Sequence, residues 1–248
     1  SEVIWQTVKI RKQYPAWSKC KIRRILERDH GLITSASNVG RILKRRGLID
    51  KKKSAKRRKA ALRPKLRFPR GFRIAEAGDM VQMDTKYIML PAGRKIFQFT
   101  AIDVLSKQRV LRVYPSLSSR NGRLFLEECL RVFPFQVKAV QTDNSREFLK
   151  EFEGKCRELK LPHYWTHPRT PKENPYAERS HGSDEKEFYQ QGNVYQDLEL
   201  MDRKLKEWEK VWNRIRPHKS LNCRTPDEYL AYLKTNVLPT KNVIILQT

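Results

Sequence analysis

Two aspartates stand where strands of a predicted sheet could present them for chemistry. The segment AVQTDNSREF begins as a short apolar strand that breaks at Asp143, and the segment MVQMDTKYIML carries Asp84 within a second predicted strand. If these strands pair, the carboxylates lie side by side, and at about 4 Å they repel by roughly 4 kcal/mol at an effective dielectric near 20. A divalent cation relieves that repulsion, and hard oxygen ligands favour Mg²⁺ or Mn²⁺. The alternative is that Asp-Asn-Ser is ordinary turn and capping chemistry.

A third acid, on a helix that crosses the same sheet edge, would complete an oxygen cage. Ions held in such a cage activate an attacking oxygen and stabilise a leaving oxygen at phosphorus. The downstream candidates are Glu173, Glu178 and Glu185. Glu173 is predicted to lie in a loop before Pro175, while Glu178 falls in the first turn of the helix that Pro175 begins. Glu185 lies about 10 Å further along that helix, too far to share the same ions easily.

The elements predicted around these acids form an α/β fold with a mixed sheet and helices on its faces. In chain order they are strands at 80–90, 95–104 and 108–115, a helix at 118–133, a strand at 136–142, a helix at 145–160, a strand at 161–166 and a helix from 175. The first three strands could form an antiparallel meander. The order β-β-β-α-β-α-β-α is typical of a mixed sheet packed between helices.

Residues 1–50 are predicted to form a small all-α domain of three helices. Ser18 can cap the second helix and Gly31 can end it, while Thr34 or Ser35 can cap a third that Gly47 ends. Three short helices with a Gly-containing turn fit a helix-turn-helix unit. The side chains of the third helix that suit a major groove are Ser37, Asn38, Arg41, Lys44 and Arg45. The alternative is a small bundle whose charges face only water.

The net charge of +26 is concentrated at the front of the chain, where residues 1–75 carry +20. Such a bias indicates a polyanionic partner, and nucleic acid is the first candidate. Residues 51–74 are predicted to be a basic linker, since eleven of residues 51–70 are Lys or Arg. Its candidate phosphate contacts, which would carry no sequence information, are Lys52, Arg57 and Arg58. A solvated tether or a localisation signal would have the same composition.

The compartment is expected to be reducing. The four cysteines have no CxxC spacing, which also argues against a zinc ribbon. No apolar run approaches the length of a membrane span. We therefore expect a cytoplasmic protein without a membrane partner.

Residues 191–248 are predicted to be a helical C-terminal extension. The stretch 198–215 has an apolar and aromatic stripe at helical spacing, which is most often core or subunit contact. The final VIILQT predicts a strand with no obvious partner in the chain, so it would begin a further module or pair with another chain.

Four segments in order resemble the catalytic core of DDE transposases and retroviral-type integrases: VQMDTKY, AIDVLSKQRV, VQTDNSREF and TPKENPYAERSHGSDEKEFY. NRIRPHKSLNCRTPDEYL resembles the segment that follows this core in bacterial insertion-sequence transposases, and a helix-turn-helix suits the same group. The resemblance implies a ribonuclease H-like core over residues 75–190. It implies a homo-oligomer that uses Mg²⁺, or Mn²⁺ in its place, to cut DNA at element ends and join the 3′-hydroxyl to target DNA.

The resemblance assigns Asp84, Asp143 and Glu178 as catalytic and metal-binding residues. Between Asp143 and Glu178 lie 34 residues, where many relatives have 35. Ser145 stands where relatives usually have Gly, so a changed backbone is expected there, because Ser does not readily adopt φ > 0. The residues expected to hold DNA around this cage are Arg169, Lys172, Asn174 and Arg179.

Two further residues, Asp103 and His181, have alternative roles. Asp103 is predicted to cap a turn rather than bind metal. His181, about one turn beyond Glu178, would assist proton transfer, contact phosphate or serve the structure. Two other functions remain open: a regulatory DNA-binding protein that keeps the fold without its chemistry, and a ribonuclease H-like nuclease that cuts without joining.

Overall fold

The computed structural model describes residues 1–49, 65–69, 71–91, 93–167, 170, 173–235 and 244–245. The chain divides into two compact units, Ser1–Pro64 and Lys65–Thr248. The predicted DNA contacts that lie outside the described residues are Lys52, Arg57, Arg58, Arg169 and Lys172.

The first unit contains the three predicted helices. They are α1 (Glu2–Gln13), α2 (Lys19–His30) and α3 (Ala36–Arg45). The hydroxyls of Ser18 and Ser35 accept N–H bonds in the first turns of α2 and α3, and Gly31 ends α2 at φ 63°. The helices enclose a small core that includes Ile22, Leu26, Val39 and Leu43.

The second unit is built on a mixed sheet. Its elements are β1 (Arg73–Ile74), β2 (Val81–Met89), β3 (Lys95–Asp103), β4 (Arg109–Tyr114), α4 (Ser119–Val132), β5 (Val140–Thr142), α5 (Glu151–Glu158), β6 (His163–Trp165), α6 (Pro175–Glu187), α7 (Leu198–Arg214), α8 (Pro226–Thr235) and β7 (Ile244–Ile245). Strands β2, β3 and β4 form the predicted antiparallel meander, and β5 and β6 continue the sheet in parallel, in the order β4-β3-β2-β5-β6.

Apolar side chains project from both faces of this sheet. One face packs against α4 and α5, and the other packs against α6 and α7. Consistent with burial on both sides, β3 is buried along nearly its whole length rather than alternating. The aromatic stripe of α7 belongs to this core through Trp208 and Trp212, as predicted, while Ile215 at its end is 68% exposed.

The helix predicted over 145–160 is instead a short 3-10 turn, Arg146–Phe148, followed by α5. Phe148 and Phe152 have the spacing of one helical face, which is why the pattern suggested a single helix. The chain turns between them at Lys150, with φ 46°, and the two rings meet edge to face at 5.2 Å inside the core.

The structure differs from expectation at both ends of the second unit. It begins at Lys65, inside the stretch predicted as linker. The prediction that the last strand pairs outside the chain or begins a further module is wrong, because β7 pairs antiparallel with β1.

Among the described helices, none is both long and apolar enough to cross a membrane.

Candidate active site

Strand pairing brings the two aspartates together. Strands β2 and β5 run parallel, with Val81 opposite Val140 and Gln82 opposite Gln141. The same register, continued past the end of β5, places Asp84 opposite Asp143. The carboxylates therefore lie at the carboxyl end of one parallel pair, as expected from the sequence.

Asp84 is held where its charge is unfavourable. Burial raises the pKa of Asp84 to about 7, and the N–H of Thr85, which donates to Asp84 Oδ1 at 2.8 Å, only partly opposes this. The charges of Asp143, Glu178 and Glu147 raise the pKa further. A cation beside Asp84 would reverse each of these effects.

Asp143 is fixed by the residue that replaces the usual glycine. The N–H of Ser145 donates to Asp143 Oδ1 at 3.0 Å, and the Ser145 hydroxyl donates to Oδ2 at 2.5 Å. Ser145 has φ −71° and ψ 155°, an ordinary extended conformation. Serine therefore fits this turn without a positive φ and orients the aspartate, while a backbone change relative to the relatives stays a prediction.

Glu178 reaches the same edge from α6. Pro175 occupies the start of the helix, and Glu178 follows in its first turn. Partial desolvation and then the charge of Asp143 raise the pKa of Glu178, although its side chain remains exposed. Three mutually repelling oxygen donors fit a divalent cation. Among the described residues, no group of three His, Cys, Asp or Glu side chains is already gathered at ligand distances.

The competing acids on either side of Glu178 have other partners. Glu173 accepts the N–H of His167 at 2.6 Å and lies 2.8 Å from its Nδ1. Glu185 pairs with Lys86 at 2.8 Å. Neither carboxylate is oriented by the contacts that orient Asp143.

Asp103 caps a turn, as predicted. Its buried carboxylate accepts the N–H of Gly78 at 2.9 Å, and both the N–H and the hydroxyl of Ser106 at 2.7 Å. Gly78 has φ 90°, and a Cβ there would lie 2.1 Å from the carbonyl oxygen of Gln136. Asp103 therefore holds together the turns that bracket the sheet.

Glu147 is a fourth acid, in the segment 145–160 that the sequence predicted to be a helix. It is 1% exposed and accepts the hydroxyl of Thr85 at 2.6 Å. A Cβ at Gly122 of α4 would lie 2.3 Å from the carbonyl oxygen of Glu147, so only glycine lets α4 approach this turn. The sequence signal was weak: an acid directly before the buried Phe148, with a glycine on the facing helix.

His181 faces Asp84 rather than solvent. Its Nδ1 lies 3.6 Å from Asp84 Oδ2, and its Nε2 lies 3.0 Å from the hydroxyl of Thr100. Burial lowers the pKa of His181 to about 4, and nearby Lys86 and Arg109 act in the same direction. The ring is thus neutral near pH 7, which favours a role in orienting Asp84 over one as a cation for phosphate.

Asn174 lies in the interior, which does not fit its predicted contact with DNA. Its side chain is buried, and its amide nitrogen donates to the carbonyl of Met83 at 3.2 Å. Nearby, the Gln82 amide donates to Glu173 O at 3.1 Å and accepts the N–H of Tyr176 at 3.0 Å. These bonds attach the start of α6 to β2, so they position Glu178 relative to Asp84.

Comparison with known families identifies this arrangement. Residues 75–171 and residues 160–226 each match a family model described as an integrase core domain. Residues 75–226 of the chain therefore match integrase core models throughout. The resemblance to the DDE transposase and integrase catalytic core is thereby confirmed.

Curated relatives of the integrase core come from mobile elements. One is the ORF3 protein of Spiroplasma virus SpV1-C74, named as an integrase, which is 25% identical over 179 residues, or 64% of this chain and 49% of that protein. Another is a 39.2 kDa protein of insertion element IS476 from Xanthomonas euvesicatoria, which is 27% identical over 161 residues, or 63% of this chain and 45% of that protein. The chain spans about half the length of these relatives.

Solved structures show the same fold. A chain of the simian T-cell lymphotropic virus intasome, determined with PP2A regulatory subunit B56 gamma, aligns with a TM-score of 0.57 and 17% identity over 98% of this chain and 78% of its own. The catalytic core of BIV integrase aligns with a TM-score of 0.50 and 20% identity over 64% of this chain and 97% of its own. The predicted ribonuclease H-like fold is confirmed.

A second network anchors the other end of α6 in the integrase core. Asp184 is fully buried and accepts Arg109 Nη1, Trp208 Nε1 and Gln98 Nε2, each at 2.7 Å. The guanidinium of Arg109 also lies 3.7 Å from the ring centroid of Trp212. These contacts join α6 to β3, β4 and α7, so the region predicted as an extension helps to position Glu178.

A cleft of about 930 Å³ opens beside the acids. Its lining near the acids consists of Thr85, Lys86, Ser145, Arg146 and Glu147. Of the predicted DNA contacts near Glu178, Arg179 is described and exposed.

On α3 of the first unit, the predicted reading side chains Ser37, Arg41, Lys44 and Arg45 are exposed. Asn38 is half-buried and its amide donates to the hydroxyl of Thr34 at 2.9 Å. This bond would have to yield before Asn38 could read a base.

Proposed function

We propose that this chain is a DNA transposase or integrase that cleaves element ends and joins their 3′-hydroxyls to target DNA. The observation that carries the proposal is the placement of Asp84 opposite Asp143, with Glu178 near enough for its charge to act on Asp84. The named integrase and insertion-element relatives support a mobile-element substrate.

Asp84, Asp143 and Glu178 would hold the divalent cations, Mg²⁺ or Mn²⁺, which supply activation of the attacking oxygen and stabilisation of the leaving oxygen at phosphorus. Ser145 keeps both Asp143 oxygens oriented, and neutral His181 supports Asp84 without competing as a cation. Water or the DNA 3′-oxygen is the nucleophile, so the protein supplies no covalent group.

The first unit is proposed to recognise element ends through the exposed face of α3. Its cations could contact phosphates, and Arg41 is placed to reach a base edge. We further propose that the chain works as a homo-oligomer, as the name intasome implies for the simian virus relative. Its proposed location is the bacterial cytoplasm, associated with the nucleoid.

The test is a Mg²⁺-dependent assay on a labelled duplex that carries the ends of the encoding element, with a supercoiled plasmid as target. Strand cleavage followed by covalent transfer of label to the plasmid is the expected result. Cleavage without transfer would indicate a nuclease. Binding of the ends without cleavage in either Mg²⁺ or Mn²⁺ would indicate a regulatory DNA-binding protein.

A further inference from the structure

The first residues of the second unit run along β6, the edge strand next to β5. The carbonyl of Leu66 accepts the N–H of Trp165 at 2.9 Å, and the guanidinium of Arg67 donates to the carbonyls of Trp165, at 2.9 Å, and Thr166. The end of the basic stretch is therefore attached to the catalytic sheet, rather than free as a solvated tether.

This attachment fixes a cation beside Asp143. The ammonium of Lys65 donates to the side-chain oxygen of Asn144, the residue after Asp143, and lies 4.2 Å from the ring centroid of Trp165. The Asn144 amide in turn donates to the carbonyl of Thr166 at 2.7 Å. Lys65 thus stands at the carboxyl ends of β5 and β6, the edge that presents the acids.

The cation is held there against a desolvation penalty. Partial burial lowers the pKa of Lys65, and the neighbouring charge of Arg67 lowers it further, while Asp143 and Glu153 oppose them. The Lys65 ammonium therefore lies among the charges of Asp143 and Glu153 at the edge that presents the acids.

We propose that Lys65 binds a non-bridging phosphate oxygen of the DNA strand at the reaction centre. The inference rests on the proposed function and names a substrate contact for that same site. An ammonium carries three donors, so the bond to Asn144 leaves capacity for phosphate. A fixed cation here also offsets the charge of a phosphodiester brought beside three carboxylates.

The preceding sequence fits this role. Eight of residues 51–64 are Lys or Arg, and the chain passes from them directly to Lys65. Lys65 is thus the last of a run of cations in the sequence, and such runs bind nucleic acid phosphates.

Three substitutions of Lys65 distinguish a contact with phosphate from a purely structural role. Lys65→Arg keeps the charge, Lys65→Gln keeps a donor for Asn144 without charge, and Lys65→Met removes both. The assay is nicking, by the full chain in Mn²⁺, of a supercoiled plasmid that carries the ends of the encoding element. The kcat, the KM and their dependence on salt are measured for each variant that circular dichroism shows to be folded.

We expect Lys65→Arg to stay within about threefold of the wild type, while Lys65→Gln and Lys65→Met lower kcat/KM roughly tenfold or more. Both should also flatten the slope of log kcat/KM against log salt by about 0.9, the value for one lost phosphate contact. The matched control is Lys210→Met, on α7, which packs on β4 at the opposite edge of the sheet. It should behave like the wild type.

Each other outcome overturns the inference in a recognisable way. If Lys65→Gln matches the wild type in rate and salt slope, Lys65 only supports Asn144. If the wild type nicks and all three variants nick equally, Lys65 has no role, while the proposed function stands. If the wild type nicks no plasmid in Mn²⁺ or Mg²⁺, the proposed function fails and this inference falls with it.

Discussion

The carboxylates near the two ends of α6 have opposite electrostatic environments. Near the end of the helix, Asp184 is fully buried but accepts bonds from Arg109, Trp208 and Gln98. Burial alone would raise the pKa of Asp184, but these partners outweigh it and the pKa is lowered. The charge is compensated inside the fold.

Near the start of α6, Asp84 of β2 lacks such compensation. Asp84 is half-buried, and desolvation together with the charges of Asp143, Glu178 and Glu147 raises the pKa of Asp84 to about 7. Its described partners are the N–H of Thr85 and neutral His181.

This contrast distinguishes a structural carboxylate, Asp184 on α6, from the acids of the candidate site near the start of the same helix. A buried charge with matched partners holds elements together, whereas a cluster of acids without a cation destabilises the protein alone. Such a cluster is expected at a site that binds a cation and does chemistry.

The largest expected effect comes from neutralising the uncompensated end. Asp84→Asn, Asp143→Asn and Glu178→Gln should each lower cleavage and joining by orders of magnitude, because they remove stabilisation that acts mainly in the transition state. DNA binding should change little. The measurement is product formation on a labelled duplex in Mg²⁺, beside a gel-shift affinity.

Glu173→Gln and Glu185→Gln serve as matched controls, since they neutralise acids on either side of Glu178. Both should retain substantial activity. An active Glu178→Gln variant together with an inactive Glu185→Gln variant would mean that α6 presents the wrong acid in our assignment.

The compensated end should respond in stability instead. Asp184→Asn leaves Arg109 buried without its counter-ion, and we expect a loss of about 3–5 kcal/mol in the free energy of unfolding, measured by urea denaturation. Asp84→Asn should raise that free energy in metal-free buffer at pH 7, because it removes a charge that burial disfavours. Equal losses for the two variants would remove the distinction between the two ends.

Sequence reasoning found the uncompensated end and missed the compensated one. An acid within one predicted strand, an acid at the end of another and the first turn after Pro175 are local signals. Asp84, Asp143 and Glu178 could therefore be named before the sheet was seen. The sequence analysis had to assume that the strands of Asp84 and Asp143 pair, and the structure shows that β2 and β5 do so in parallel.

Asp184 gave no such signal. It stands in the segment SDEKE, which looks like a solvated helix face, and its burial depends on Trp208 of a helix that follows later in the chain. Asn174 was misread for the same reason, since its partner is the distant carbonyl of Met83.

Buried histidines give a third, neutral case for the comparison. Burial lowers the pKa of His163 to about 3, from an unfolded value near 6.5. Between these values the unfolded chain binds a proton that the folded chain does not, so stability is present above about pH 6.5 and is lost as the pH falls. The loss attributable to His163 should reach roughly 2 kcal/mol at pH 5.

The measurement is urea denaturation from pH 7.5 to 5 for the wild type and His163→Gln, with His30→Gln on the exposed face of α2 as the control. The His163→Gln variant should lose part of the pH dependence, whereas His30→Gln should keep it. His181 and His218, whose pKa values burial lowers to about 4, contribute in the same direction, whereas Asp84, whose pKa burial raises to about 7, contributes in the opposite direction. A His163→Gln variant that keeps the full pH dependence of the wild type would contradict the assignment.

The smallest effect tests the cation directly, without DNA or turnover. If Mg²⁺ binds the acids with a Kd near 1 mM, about 10 mM Mg²⁺ should stabilise the folded chain by roughly 1.4 kcal/mol. Thermal unfolding with and without Mg²⁺ at constant ionic strength measures this shift. Asp84→Asn and Asp143→Asn should abolish it because they remove ligands, while Glu185→Gln and Asp184→Asn should retain it, the latter from a lower starting stability. Equal stabilisation of the wild type and both ligand variants would show that Mg²⁺ binds elsewhere, and the raised pKa of Asp84 would then need an explanation other than a cation site.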